Sequence, residues 1–192
     1  MYQAKIVVGN FFEQKVMQLF DLVRTDPHAF GEVPDLVSRD GSFFVEVKAS
    51  AYNNGGVINK TQMLRFDRKI STKRFYAFAY HSINKCMQRD YPTEDELNNA
   101  LNLRSLYLFP FSIIKAHFER SEKITNPKHD DFVQLKERTA HDIFEGDSKA
   151  WNHLGLSISE YKKIQTHGKV HIATRQGHLE QQILSSFHPE FL

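Results

Sequence analysis

Residues 74–81 read Arg-Phe-Tyr-Ala-Phe-Ala-Tyr-His, a run that is apolar on both faces of an extended strand. A strand with no wet side has to be covered above and below, which places it in the middle of a sheet sandwiched between other elements. The 192 residues are 41% hydrophobic, enough for one sizeable core of this layered kind.

The flanking sequence supplies the other layers. From Asn10 to Arg24 the residues Phe12, Val16, Leu19, Phe20 and Val23 fall on one helical stripe, and Asn10 with Glu13 has capping-box spacing. Extended runs at 33–39 and 43–49 are joined by Asp40-Gly41, a pair suited to a type I′ hairpin turn. Tyr52 to Gly56 reads as a loop, after which Asn59 and Gln62 are capping residues for a helix to about Ile70. Thr93 and Glu96 open another helix by capping-box spacing. Ser105 to Phe109 reads as a strand that Pro110 ends. This order predicts an α/β fold with a mixed central sheet flanked by helices.

Beyond residue 120 the pattern weakens. Ser121 to Asp131 is polar, contains Pro127 and reads as a linker, and Ser157 with Glu160 suggests a helix carrying Tyr161 and Ile164. The expected division is a core over 1–120 and a partly helical extension over 121–192, packed on the core and serving specificity or dimerisation.

Net charge is +2 and the pI near 8.6, so only local clusters of Lys and Arg bear on a polyanionic partner. Cys86 is the single cysteine, which excludes an internal disulfide and a thiol zinc site and fits a reducing interior. The N-terminal run is interrupted by Asn10, Glu13 and Gln14, and no stretch reaches membrane-spanning length, so a cytoplasmic protein is expected.

Chemistry concentrates in residues 33–50. With Asp40 and Gly41 at the turn, facing positions sum to 81, and Asp35 faces Glu46. Directly opposed residues share a face with Cβ atoms roughly 4.5–5.5 Å apart, where like charges destabilise each other. Lys48 joins that face by the strand period of two. Two opposed carboxylates must share a proton, meet cations or hold a metal ion, and hard oxygen ligands suit Mg²⁺ or Mn²⁺. The plainer alternative puts Asp35 at the open end of a hairpin in solvent, with Glu46 and Lys48 as ordinary strand residues.

The pattern Pro34-Asp35, ten residues, Glu46-Val47-Lys48 resembles the PD-(D/E)xK, or restriction-endonuclease-like, nuclease superfamily over roughly residues 9 to 81. The resemblance implies that Asp35, Glu46 and the Val47 carbonyl hold a divalent cation and that Lys48 positions or activates the attacking water. Many members add a helix-1 glutamate, which Glu13 matches alongside its capping role. Some place a glutamine on the helix after the ExK strand. Gln62 stands there, with Phe66 where those relatives have tyrosine, and capping is the simpler reading of Gln62. Archaeal Holliday-junction resolvases are the nearest subgroup, but the serine they carry before the aspartate is missing from residues 24–35.

Lys60, Arg65, Arg68, Lys69, Lys73 and Arg74 form a basic run after this segment, and Asn53 and Asn54 could approach a phosphate or base edge. A solvated helix face and a plain loop are the alternatives. Lys162, Lys163, Lys169 and Arg175 add basic charge further on. His167 and His171 have the i, i+4 spacing of helical metal ligands but lack further ligands nearby. The expectation is a Mg²⁺-dependent DNA endonuclease acting as a homodimer. A non-catalytic nucleic-acid-binding or assembly module with the same fold and an RNA nuclease are the rivals.

Overall fold

The computed structural model describes residues 2–25, 34–69, 73–83, 93–126, 129–164, 168–177 and 179–192. A mixed seven-stranded sheet has the spatial order β1 (Leu22–Arg24), β2 (Leu36–Ser38), β3 (Phe44–Ala51), β5 (Arg74–Ile83), β6 (Leu101–Pro110), β10 (Val170–Arg175) and β9 (Tyr161–Ile164). A second antiparallel sheet has the order β4 (Gly56–Asn59), β8 (His129–Leu135) and β7 (Ile124–Asn126). The α/β architecture with helices on a mixed sheet is the one its patterning predicts.

The apolar run at 74–81 is strand β5, buried throughout and central, parallel to β3 and antiparallel to β6. Its alternate side chains feed two cores. Phe75, Ala77 and Ala79 point to α1 (Tyr2–Leu19), α3 (Glu94–Ala100) and α7 (Glu180–Ser186). Tyr76, Phe78 and Tyr80 point to the small sheet, α4 (Phe111–Arg120), α5 (Glu137–Glu145) and α6 (Ser148–Leu154). At about 25 cal/mol per Å² of apolar surface, burial on both faces makes this strand a main source of stability. Tyr80 also ties the sheets together, donating from its hydroxyl to the Leu135 carbonyl at 2.6 Å.

Helix α1 starts earlier and stops sooner than its stripe suggests. It begins by Tyr2, with Val7 and Val8 packed on the core, so Asn10 is interior and its capping box with Glu13 is not formed. It ends at Leu19, and Asp21 takes a left-handed φ of 44°. Val23 therefore leaves the helical stripe for β1, which pairs antiparallel with β2 and lengthens the hairpin into a three-stranded meander.

The hairpin keeps its predicted register, Val37 opposite Phe44 and Leu36 opposite Val45. Its turn is different. Ser38 N–H bonds the Phe43 carbonyl, Gly41 N–H bonds the Ser38 carbonyl, and Gly41 has φ 71° while Asp40 stays out of the left-handed region. Four residues, 39–42, make the loop instead of a two-residue type I′ turn. The Asp40 carboxylate stabilises it by accepting from Ser38 Oγ and the Ser42 amide.

Two further expectations give way to tertiary pairing. The presumed linker carries β7 and β8, with β8 pairing β4 from Gly56 opposite Leu135 to Asn59 opposite Phe132. Tyr161 and Ile164 lie on β9, not a helix: Ser157 and Glu160 bracket one 3-10 turn, and β9 then pairs β10. Strand pairing satisfies every other backbone group at the sheet edge, which outweighs a local capping signal. The Thr93 and Glu96 capping box forms as expected. Asn59 caps α2 (Lys60–Lys69) by accepting from the Gln62 amide at 2.7 Å, and Ile70 lies outside the described residues. No helix among the described residues is long and apolar enough to cross a membrane.

Candidate functional site

Four elements meet where β2 stops and β3 continues. Extending the observed register by one position sets Asp35 opposite Glu46, on the same face, and the next step sets Pro34 opposite Val47. The backbone carbonyls there are tied down: Thr25 Oγ1 donates to the Pro34 carbonyl at 2.7 Å, and Thr25 N–H to that of Asp35 at 3.1 Å. Asp35 is thereby fixed where its side chain can cross the gap.

Asp35 Oδ2 accepts from the Val47 amide at 2.8 Å. In a pleated strand the N–H and C=O of one residue face the same edge, so the Val47 carbonyl also looks into this gap. Its opposite number, Pro34, has no N–H to offer. An antiparallel ladder would normally occupy that carbonyl oxygen, and Pro34 cannot do so.

Glu46 and Lys48 share the face as the strand period requires, with Lys48 Nζ 2.6 Å from Glu46 Oε1. The Gln62 side chain does not cap its helix. It turns inward and donates from Nε2 to the same Glu46 oxygen, leaving its own Oε1 buried without a hydrogen-bond partner among the described residues. That orphan acceptor points to a group that is itself a donor or a cation.

Burial dominates the electrostatics. Glu46 is 3% exposed, and desolvation pushes its pKa up to about 7, opposed by Lys48 and reinforced by Asp35. Asp35 is also raised, chiefly by burial, with Lys48 and the Val47 N–H pulling the other way. Glu13 sits on α1, pairs with Arg24 Nη2 at 3.4 Å, and is raised by burial and by the negative charge of Asp35. Helix α1, the end of β2, strand β3 and α2 thus bring Glu13, Asp35, Glu46, Lys48 and Gln62 to one place.

The donor set fits a hard cation. Oδ1 of Asp35 and Oε2 of Glu46 take no hydrogen bond among the described residues, and the Val47 carbonyl and Gln62 Oε1 add neutral oxygens. Among those residues no three His, Cys, Asp or Glu side chains cluster as a metal centre by themselves. A cation here would rest on two carboxylates completed by backbone, amide and water oxygens, the pattern Mg²⁺ favours.

Other predicted residues separate. Asn53 and Asn54 are exposed in the turn after β3, and Lys60 and Lys73 are exposed at either end of the α2 segment. The side chains of Arg65, Arg68 and Lys69 lie outside the described residues. Arg74 is 1% exposed, so it cannot be the surface phosphate contact its place in the basic run suggests. It lies on the Glu46 face beside Tyr76, whose partner across β3 is Glu46. Only the parallel register of β3 with β5 reveals this, and no local pattern encodes that pairing. Arg24, the partner of Glu13, was hidden for the same reason.

In the C-terminal third, Lys162 pairs with Glu180, Lys163 with Glu145 and Arg175 with Glu160, which spends most of that basic charge locally. His171 is on β10, so the helical His167 and His171 pair does not form, and His167 lies outside the described residues. Compared with known proteins, the chain matches no family model, no curated protein and no solved structure.

Proposed function

We propose that this chain is a divalent-metal-dependent DNA endonuclease of the PD-(D/E)xK type. The observation that carries the reading is the convergence of Asp35, Glu46 and Lys48 on one face beside an unladdered Val47 carbonyl. Charges are placed this way at a cost, since opposed carboxylates repel and Glu46 is buried. A fold with no use for the site would be more stable with apolar residues there.

In this reading Asp35, Glu46 and the Val47 carbonyl hold Mg²⁺ or Mn²⁺, which when bound lowers the pKa of a water and offsets charge on the phosphoryl oxygens. Lys48 extends the same face, where its ammonium can orient the attacking water and stabilise the anionic transition state. Gln62 holds Glu46 by one amide atom and offers the other to that water. Glu13, paired with Arg24, tunes Asp35 from the helix side. A homodimer would supply two such sites for the two strands of a duplex, and a reducing, cytoplasmic setting fits the lone Cys86.

One observation favours a second reading. Lys48 and Gln62 already satisfy Glu46 Oε1 without a metal, as they would in a nuclease-fold module that binds nucleic acid without cutting it. A plasmid-nicking assay separates the two. Nicking in Mg²⁺ that stops with EDTA, Asp35→Ala or Lys48→Ala supports the enzyme; cutting that ignores metal and these substitutions, or none on any DNA form, defeats it.

A further inference from the structure

Strand β6 carries one residue too many where it passes β5. Tyr80 faces Ser105 and His81 faces Leu103, so Arg104 is the unpaired residue of a β-bulge. Bulges re-aim a side chain out of the pleat, and this one lays the Arg104 guanidinium over the Tyr52 ring, 4.4 Å from its centroid. The geometry is held from a second side. Arg104 Nε lies 3.4 Å from Glu137 Oε2, and Glu137 Oε1 accepts from the buried Ser105 hydroxyl at 2.7 Å.

An ordinary surface arginine wanders among rotamers. This one lies over an aromatic ring and is ion-paired through Nε, yet its side chain remains half exposed. Among the described residues its terminal Nη atoms have no acceptor, and they form the fork that matches phosphate oxygens. Glu137 cancels some of the charge. Lys136, adjacent to it and exposed, restores it and pairs with no carboxylate among the described residues. Asn53 and Asn54 stand exposed on the turn that carries Tyr52.

We propose that Arg104, braced by Tyr52 and Glu137, is a phosphate-binding subsite for the sugar-phosphate backbone of a DNA substrate. Tyr52 has the strand parity of Glu46 and Lys48 and lies four residues beyond Lys48, roughly 13 Å along the chain at the rise of a strand. A duplex advances about 3.4 Å per base pair, so the subsite would meet the backbone roughly four pairs from the scissile bond. The inference rests on the nucleic-acid part of the function proposed above and not on the chemistry of cutting.

The test is anisotropy of a short labelled DNA duplex in Mg²⁺, in a Lys48→Ala background that keeps both carboxylates, measured across a salt series. Arg104→Ala should weaken binding roughly five-fold and lower the slope of log affinity against log salt by about one. Arg104→Lys, which keeps charge but loses the fork and the stack, should fall between, and Tyr52→Ala should mimic part of the loss. Thermal melts check that each variant is folded. Unchanged affinity and slope in Arg104→Ala overturn the subsite and leave the nuclease reading intact. Arg104-dependent binding by a wild-type protein that never cuts upholds the subsite and defeats the nuclease reading. A folded protein that binds no DNA defeats both.

Discussion

Asp35 reaches across the end of β2 to accept the Val47 amide proton at 2.8 Å, in place of the Pro34 carbonyl, which accepts from Thr25 Oγ1. That bond fixes one carboxylate oxygen against the strand that carries Glu46 and Lys48. Everything proposed about the chemistry depends on this junction of two strands.

The first prediction concerns Glu46 in the metal-free protein. Its carboxyl has an ordinary pKa of 4.5 and about 7 when folded, so between those values the folded state holds a proton that the unfolded chain has lost. Raising pH through that window therefore lowers stability, at about 1.4 kcal/mol per unit and about 3 kcal/mol in all. Urea unfolding in EDTA at about pH 5 and about pH 8 should show this fall, and Glu46→Gln should lose most of it. Equal pH profiles for the two proteins would refute the assignment.

Lys48 offers a second. On the proposed nuclease reading, Lys48→Met should reduce phosphodiester cleavage by roughly a hundred-fold or more, because it would remove the cation assigned to the developing charge. It also takes away the charge that holds Glu46 down, so the Glu46 carboxyl should titrate still higher, as NMR of a side-chain-labelled sample would report. Full activity in Lys48→Met would remove lysine from the mechanism.

How much of this was legible depended on range. The register that faces Asp35 with Glu46 is the same for either turn, because a four-residue loop at 39–42 and a two-residue turn at Asp40-Gly41 share a midpoint. The face shared by Glu46 and Lys48 follows from the strand period alone. Contacts made by distant strands had no such local signature. Arg74 looked like part of a solvated basic run, and only β5 lying parallel to β3 puts it under the site. Gln62 looked like a cap because its amide does bond Asn59, while its side chain is drawn inward by Glu46. Strands β7, β8 and β9 were missed because a small outer sheet and an edge strand carry polar residues on their wet side, which in sequence resembles a linker or a helix end.

A third prediction tests how the small sheet packs on the large one. A Cβ at Gly56 would press against Cδ1 and Cε1 of the fully buried Phe78, the latter at 2.7 Å, and lie 3.5 Å from the Lys48 Cβ. Gly56→Ala should cost about 1–3 kcal/mol of stability by overpacking against Phe78. Chemical denaturation measures this, and a neutral result would mean that Gly56 does not pack against Phe78 of β5.

The fourth concerns the tie between sheets. Tyr80→Phe deletes the hydroxyl that bonds the Leu135 carbonyl, at a cost of about 1 kcal/mol. Hydrogen exchange should show faster opening of β4 and β8 than of β5. Uniform, unchanged protection would contradict the role of Tyr80 as the bridge.

The most direct examination of the central claim is anomalous diffraction at the manganese edge from crystals soaked in Mn²⁺. The account predicts a peak within about 2.2 Å of one oxygen from each of Asp35, Glu46 and the Val47 carbonyl, absent in Asp35→Ala. No peak there at saturating Mn²⁺, or one that persists in Asp35→Ala, would contradict it.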